Sequence, residues 1–296
     1  MQSLQILLPD FSLILLGVLL RRRMITDNAF WAGVERLVYF VLFPAMLFRA
    51  LTLVHIDLDT TLPLVGSGLA VMFIGFLLGL AGRPLMGLPG IAFASRLQCA
   101  YRFNTYIAIA VAGQLHGAQG VAVMGALCGM MVPFANIMAV GMLARHGQGG
   151  LVRELLRNPL VLATLAGMAF NLAGGELPRP AHAFLARLGD AAVALGLLAV
   201  GAALRWGSAG GNVLGSSWIV CVKLALLPGI AWGLGRLVGL EGVAFDLLVL
   251  YAAMPSASSA YILAMRMGGD GPGVAWLISA TTVLAMPTLA VWLALL

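Results

Sequence analysis

Long apolar stretches that alternate with short polar ones set the organisation of this sequence. A helix needs about 20 consecutive apolar residues to cross the hydrocarbon core of a bilayer. Stretches near this length follow one another along the chain and predict ten spans, at 4–20, 34–54, 62–82, 92–113, 119–143, 158–174, 185–204, 213–236, 243–266 and 272–295. The pattern therefore predicts an all-α integral membrane protein.

Two spans carry polar residues near their centres, where the bilayer offers no hydrogen-bonding partner. They lie between Tyr101 and Tyr106 in span four and between Met254 and Tyr261 in span nine. Polar groups at this depth usually face a cavity on a substrate path; hydrogen bonds between packed helices are the alternative. The candidate substrate-binding residues are Arg102, Asn104, Thr105, Tyr106, Pro255, Ser256, Ser258 and Ser259.

Proline is expected to interrupt span nine, because Pro255 has no amide hydrogen to donate. The serines after it could then meet a ligand or bond back to their own helix. Span four has Ala100 at the equivalent position, so a break there must depend on Arg102 and Asn104. A buried arginine needs a partner, either a carboxylate ligand or an internal acid such as Asp10, Asp190 or Asp246. Extension of the Arg102 side chain to the membrane surface is the further alternative.

The single lysine of the chain, Lys223, lies in the middle of span eight. Burial favours the neutral form of a lysine, which makes Lys223 a candidate proton carrier or charge switch for coupling. Pairing with another group or extension of the side chain to the membrane surface is the alternative.

The two halves of the chain resemble each other at a shift of 150 to 155 residues. Four features recur in the same order: Pro9 and Gly17 match Pro159 and Gly167, Arg83 matches Arg236, Tyr106 and Ile107 match Tyr261 and Ile262, and Met131 to Pro133 match Ala285 to Pro287. This predicts two five-helix units, 1–145 and 146–296. An odd number of spans in each unit gives an inverted repeat, in which broken helices at equivalent positions meet at the substrate site.

Composition agrees with a membrane protein, since 61% of residues are hydrophobic and 9% are charged, against about 25% charged in soluble domains. The net charge of +6 is scattered, so the expected partner is the lipid bilayer and not a nucleic acid. Cys99, Cys128 and Cys221 lack metal-ligand spacing. HExxH and GxSxG motifs are absent, so we expect no metal, no cofactor and no enzyme activity.

The distribution of basic residues predicts the orientation, because cytoplasmic connections are rich in Lys and Arg. Connections after odd-numbered spans hold eleven: Arg21, Arg22, Arg23, Arg36, Arg83, Arg96, Arg145, Arg153, Arg157, Arg205 and Arg266. The other connections hold four: Arg49, Arg179, Arg187 and Arg236. We therefore expect a multi-pass protein of the cytoplasmic membrane with both termini outside.

Several motifs resemble those of the auxin efflux carrier family over essentially the whole chain. They are Leu42 to Phe48, Arg102 to Ile107, Arg157 to Leu160, Met254-Pro255, Ala260 to Ala264 and Gly268-Gly269-Asp270. The family's span-four asparagine corresponds to Asn104. Its counterpart after the span-nine proline is often asparagine, and Ser259 stands there in this sequence. The proline that often marks the family's span-four break is absent.

The resemblance implies a 5+5 inverted repeat related to the bile acid:sodium symporter fold, with broken, crossing helices four and nine. Spans 1, 2, 6 and 7 would form a scaffold, and spans 3–5 and 8–10 a mobile transport unit. It further implies efflux of organic anions, such as auxin or malate- and malonate-type acids, by an elevator motion. A homodimer through the scaffold helices is compatible with this arrangement. Sodium-coupled symport is the alternative within this class, and a channel-like pore or membrane sensor is the alternative outside it.

Overall fold

The computed structural model describes residues 2–53, 58–144, 159–204 and 213–296. Regular structure in these residues is helical throughout. The boundary between the two predicted units, at 145/146, lies outside the described residues. Four of the arginines that predict the orientation, Arg145, Arg153, Arg157 and Arg205, also lie outside them.

The helices follow the predicted spans closely. Their bounds are α1 Gln2–Arg23, α2 Asn28–Leu37, α3 Phe43–Leu53, α4 Leu58–Ala81, α5 Arg83–Met86, α6 Gly90–Leu97, α7 Thr105–Ala144, α8 Pro159–Leu172, α9 Arg179–Ala203, α10 Val213–Cys221, α11 Leu227–Val238, α12 Gly242–Ala253, α13 Ser259–Arg266 and α14 Gly271–Leu295. Helix α7 is kinked at Gly117, whose φ of 58° is left-handed. This kink separates predicted spans four and five.

Six stretches of the described residues are long and apolar enough to cross a membrane. They are Asn28–Arg49, Leu62–Ala81, Gly90–Leu143, Arg179–Ala203, Val213–Val238 and Gly271–Leu295. Helix α12, over Gly242–Ala253, is apolar but shorter. The protein is therefore an all-helical, multi-pass membrane protein. Its division into two repeats of five spans stays a prediction.

Two prolines explain the π-helical turns that interrupt the helices of spans two and eight. The turns Val38–Leu42 and Val222–Leu226 come directly before Phe43-Pro44 and Leu227-Pro228. A proline cannot donate to the carbonyl four residues earlier, so Pro228 leaves the Leu224 carbonyl without its helical partner. Trp292 Nε1 of α14 donates to that oxygen at 3.0 Å. The distortion is thus compensated by a neighbouring helix, as an apolar solvent requires.

Helix α12 forms the centre of the core, because every residue from Leu247 to Ala253 is buried. It packs against α4, α7, α11 and α14. A continuous apolar sequence suits this position, since the helix meets protein on all sides. The last turn of α12 is thereby held in the middle of the helix bundle.

Glycines allow α1 and α9 to touch through their backbones. A Cβ atom on Gly201 would lie 1.9 Å from the Ile14 carbonyl oxygen, and one on Gly17 would lie 2.2 Å from that of Leu198. Close backbone approach at small residues is a main source of helix association in membranes, where the hydrophobic effect contributes little. The α1–α9 contact should therefore be sensitive to a single methyl group.

We expect Gly201→Ala to lower the free energy of unfolding by about 2 kcal/mol or more, because backbone atoms cannot move aside as side chains can. Thermal unfolding in detergent would measure this. Gly33→Ala is the matched control, since a Cβ there meets nothing within 4 Å. Equal melting temperatures for the two variants would contradict the close contact.

Candidate functional site

Span four is broken between α6 and α7, although it contains no proline. Helix α6 continues as a 3-10 turn over Gln98–Ala100, and residues 101–104 are not helical. Asn104 then caps α7: its side-chain Oδ1 accepts hydrogen bonds from Tyr106 N at 3.0 Å and Ile107 N at 3.2 Å. Asparagine is a preferred N-cap residue. In span four, Asn104 therefore starts a new helix after the break. In span nine, by contrast, a proline ends the helix before the break.

Span nine is broken at the proline, as predicted. Helix α12 ends at Ala253, residues 254–258 are not helical, and α13 begins at Ser259. Residues 251–257 are all buried. The interruption is therefore covered by protein, which is where broken backbone is tolerated at membrane depth.

Each break supplies hydrogen-bond partners for the other. Asn104 N donates to the Pro255 carbonyl at 2.8 Å, and Ser256 Oγ donates to the Cys99 carbonyl at 2.7 Å. Ser256 N donates to Thr281 Oγ1 of α14 at 3.2 Å. The two polar stretches that the sequence singled out thus cross and contact one another. We call residues 98–104 and 252–259 together the crossing.

Arg102 is buried, with 6% of its surface exposed, and it connects the two broken helices. Its guanidinium donates to Ser259 Oγ at 2.9 Å and to Gln98 Oε1 at 3.5 Å. Gln98 Nε2 in turn donates to the Ala260 carbonyl at 3.1 Å. Arg102 therefore brings a positive charge into the crossing and positions Ser259 within it.

Three polar atoms of the crossing are buried and have no hydrogen-bond partner in the described residues: Tyr101 Oη, Asn104 Nδ2 and Ser258 Oγ. A buried polar group without a partner costs about 1–3 kcal/mol, so such atoms are candidates for ligand contacts. Ser258 also lines a cavity of about 260 Å³. The other lining residues are Arg21, Asn28, Trp31, Ala32, Glu35, Ala202, Ala203, Tyr261, Ala275 and Ile278.

The remaining predicted site residues lie at the edge of the crossing. Thr105 is half-buried and hydrogen-bonds with the Cys128 side chain within the kinked helix α7. Tyr106 packs on Phe43 of α3, with ring centroids 4.5 Å apart. Lys223 is 1% exposed and donates from Nζ to the Ala252 carbonyl at 2.9 Å. It is thus joined to the last turn of α12, directly before the break.

One ion pair that sequence reasoning missed ties α6 to the start of α14. Arg96 Nε donates to Asp270 Oδ2 at 2.7 Å, and the Arg96 side chain is 3% exposed. Asp270 also caps α14 by accepting from Gly273 N at 2.9 Å. The assignment of Arg96 to a connection was wrong, because it lies inside α6. The Gly268-Gly269-Asp270 motif was the signal that could have identified its partner.

A second pair, between His116 and Asp246, joins the first part of α7 to α12. His116 Nε2 lies 3.0 Å from Asp246 Oδ2, and each side chain is about four-fifths buried. His116 is at the end of the first part of α7, whereas Asp246 is in α12. Asp246, which was a possible partner for Arg102, therefore contacts this histidine.

A buried crossing of two interrupted membrane helices is an arrangement typical of secondary transporters. Comparison with known proteins agrees: a family model described as "Membrane transport protein" matches residues 146–293, half of the chain. An uncharacterized transporter of Methanothermobacter thermautotrophicus is 26% identical over 302 residues, covering 99% of this chain and 98% of that protein. The chain belongs to this membrane transport family, of the auxin efflux carrier type. The resemblance found in the sequence is confirmed.

We expect Asn104→Ala to lower the free energy of unfolding by about 1 kcal/mol, because the α7 N-cap is lost. Asn104→Ser should cost much less, since a serine hydroxyl can accept the same backbone hydrogen bonds. Thermal unfolding of both variants in detergent tests this. Equal losses would show that Asn104 does not act as a cap.

We expect Asp270→Asn to destabilise the protein by about 3 kcal/mol, because Arg96 would remain buried without its carboxylate. Asparagine can still cap α14, so the loss would report the ion pair. Asp27→Asn is the matched control: Asp27 is an exposed N-cap that accepts from Ala29 N and Phe30 N. A similar melting temperature for the two variants would refute a structural role for the Arg96–Asp270 pair.

Proposed function

We propose that this protein is a secondary transporter of small organic anions, carboxylates in particular, that binds them at the crossing. The observation that carries the proposal is the Asn104 Nδ2 atom, which is buried at the N-terminus of α7 and has no hydrogen-bond partner among the described residues. A carboxylate accepts hydrogen bonds from such an amide. The N-termini of α7 and α13 would add the favourable end of the helix dipole, as in transporters with discontinuous helices.

The charges around the crossing favour an anion. Arg102 and Lys223 are both buried there, at 6% and 1% exposure. The Arg102 guanidinium donates to Ser259 Oγ and Gln98 Oε1, and Lys223 Nζ donates to the Ala252 carbonyl oxygen. Positive charge in a medium of low polarity attracts a carboxylate far more strongly than it would in water. The Ser256 hydroxyl already donates to the Cys99 carbonyl. Ser256 would therefore shape the site, and Asn104 and Ser258 would contact the ligand.

The proposal includes the inverted-repeat architecture and an elevator motion. The scaffold would consist of α1–α3, α8 and α9, and the transport unit of α4–α7 and α10–α14. The cavity beside Ser258 supports this division, because α1, α2 and α9 line one side and residues of α13, α14 and the break line the other. We propose that the transport unit carries the anion past the scaffold in the direction of efflux.

Counterflow in proteoliposomes tests the proposal, with radiolabelled malonate or malate outside and the unlabelled acid inside. A transporter should show trans-stimulation, whereas a channel-like pore gives none. The same assay with and without a sodium gradient separates uncoupled or proton-coupled transport from sodium symport. Absence of counterflow for dicarboxylates, indole acids and amino acids would refute the assignment to organic anions.

We expect Asn104→Ser to reduce counterflow at least tenfold while it keeps the α7 cap. A lost hydrogen bond to a charged ligand is worth about 1.5–3 kcal/mol, which is tenfold or more in affinity. Thr288→Ala is the control, because that hydroxyl bonds back to Leu284 O of its own helix at 3.0 Å. Undiminished counterflow by folded Asn104→Ser protein would exclude the Nδ2 atom from the site.

A further inference from the structure

Lys223 lies where a lysine is difficult to explain by structure alone. It is in the π-helical turn Val222–Leu226, its side chain is 1% exposed, and it is the single lysine of the chain. Transferring an ammonium group to a low-dielectric interior is costly unless the surroundings compensate the charge. The described ion pairs, Arg96–Asp270 and His116–Asp246, do not include it. Other groups must therefore compensate the charge of the Lys223 ammonium.

The hydrogen bond of Lys223 replaces one that the break in span nine removes. In a continuous helix, the Ala252 carbonyl would accept from the amide of Ser256, four residues later. Here Ser256 N donates to Thr281 Oγ1 instead. Lys223 Nζ occupies the vacated position and donates to Ala252 O at 2.9 Å. The ammonium therefore caps the C-terminal end of the half-helix α12.

A carbonyl at the break of the other helix shows that a charge is not needed for this task. Cys99 lies in the 3-10 turn Gln98–Ala100, directly before the break in span four. The Cys99 carbonyl accepts a hydrogen bond from the neutral hydroxyl of Ser256 at 2.7 Å. A hydroxyl thus satisfies one freed carbonyl, whereas an ammonium satisfies the other. The difference between the two positions is one unit of positive charge.

Helix C-termini carry partial negative charge and favour cations. In transporters with discontinuous helices, unwound carbonyls and half-helix C-termini coordinate the coupling cation near the substrate. Lys223 Nζ occupies this kind of position at the end of α12. It donates to the carbonyl of Ala252, which lies three residues before Pro255. The chain itself supplies a monovalent cation there.

We propose that the Lys223 ammonium takes the place of a coupling sodium ion, so that the protein transports its anion without sodium. Building on the proposed function, the tethered charge would hold the α12 end in its binding geometry and add to the attraction for a carboxylate. It also follows that shortening Lys223 should open a site at Ala252 O in which sodium or lithium can bind.

The first test separates the charge from the hydrogen bond. Lys223→Gln keeps a donor for Ala252 O but removes the charge, so we expect counterflow of the carboxylate to fall at least tenfold in a folded protein. Leu224→Ala is the control for packing, because it removes side-chain volume in the same π turn, at a residue 3% exposed, without removing charge. Wild-type rates for Lys223→Gln would overturn the proposal.

The second test does not depend on transport. The melting temperature of Lys223→Ala should rise by about 3 °C or more in sodium or lithium chloride over choline chloride at equal ionic strength, because a ligand that binds the folded state stabilises it. Wild-type protein and Leu224→Ala should show no such difference. Equal melting temperatures of Lys223→Ala in all three salts would refute the vacated cation site.

Wild-type counterflow in choline medium distinguishes the failure of this inference from that of the proposed function. Carboxylate transport that requires sodium would preserve the function and overturn the role of Lys223. Absence of carboxylate transport in every medium would refute the function, and the cation dependence of the Lys223→Ala melting temperature would still decide whether the ammonium occupies a cation site.

Discussion

The backbone hydrogen bonds of two interrupted helices constrain this structure more than any other interaction. In a bilayer, an unpaired amide or carbonyl has no water to bind, so a broken helix must find partners within the protein. The breaks in spans four and nine do this reciprocally, since Asn104 N donates to Pro255 O and Ser256 Oγ to Cys99 O. Neither break could be stable at this depth without the other.

The need for partners also explains why buried polar groups concentrate around the crossing. Thr281 and Lys223 each satisfy a group that the break in span nine releases, and Gln98 connects the two broken helices through the Ala260 carbonyl. Trp292 does the same for the carbonyl that Pro228 leaves free. Under the proposed function, the anion would meet what remains: the Asn104 side-chain amide, which lacks a partner in the described residues, and the positive charges beside it.

Two side-chain pairs hold the broken helices on both sides of the crossing. Arg96 and Asp270 join α6 to the start of α14, and His116 and Asp246 join the first part of α7 to α12. Buried pairs contribute little net stability compared with apolar packing, but each partner is costly to leave alone. These pairs therefore act chiefly by fixing which segments lie together, which a site built from two separate helices requires.

The sequence by itself determined the class of protein, the positions of the helices and the two interrupted segments that form the crossing. Apolar length and the backbone chemistry of Pro255 are local properties, so they could be recognised without a structure. It also identified Asn104 as a candidate site residue. It did not show that the Asn104 Oδ1 atom caps α7 while the Nδ2 atom is buried without a partner in the described residues. Tertiary structure alone decided the partners: Arg102 with Ser259, Lys223 with Ala252, Arg96 with Asp270 and His116 with Asp246. These contacts join residues 29 to 174 positions apart, and which side chains meet over such separations depends on helix packing that no local pattern encodes.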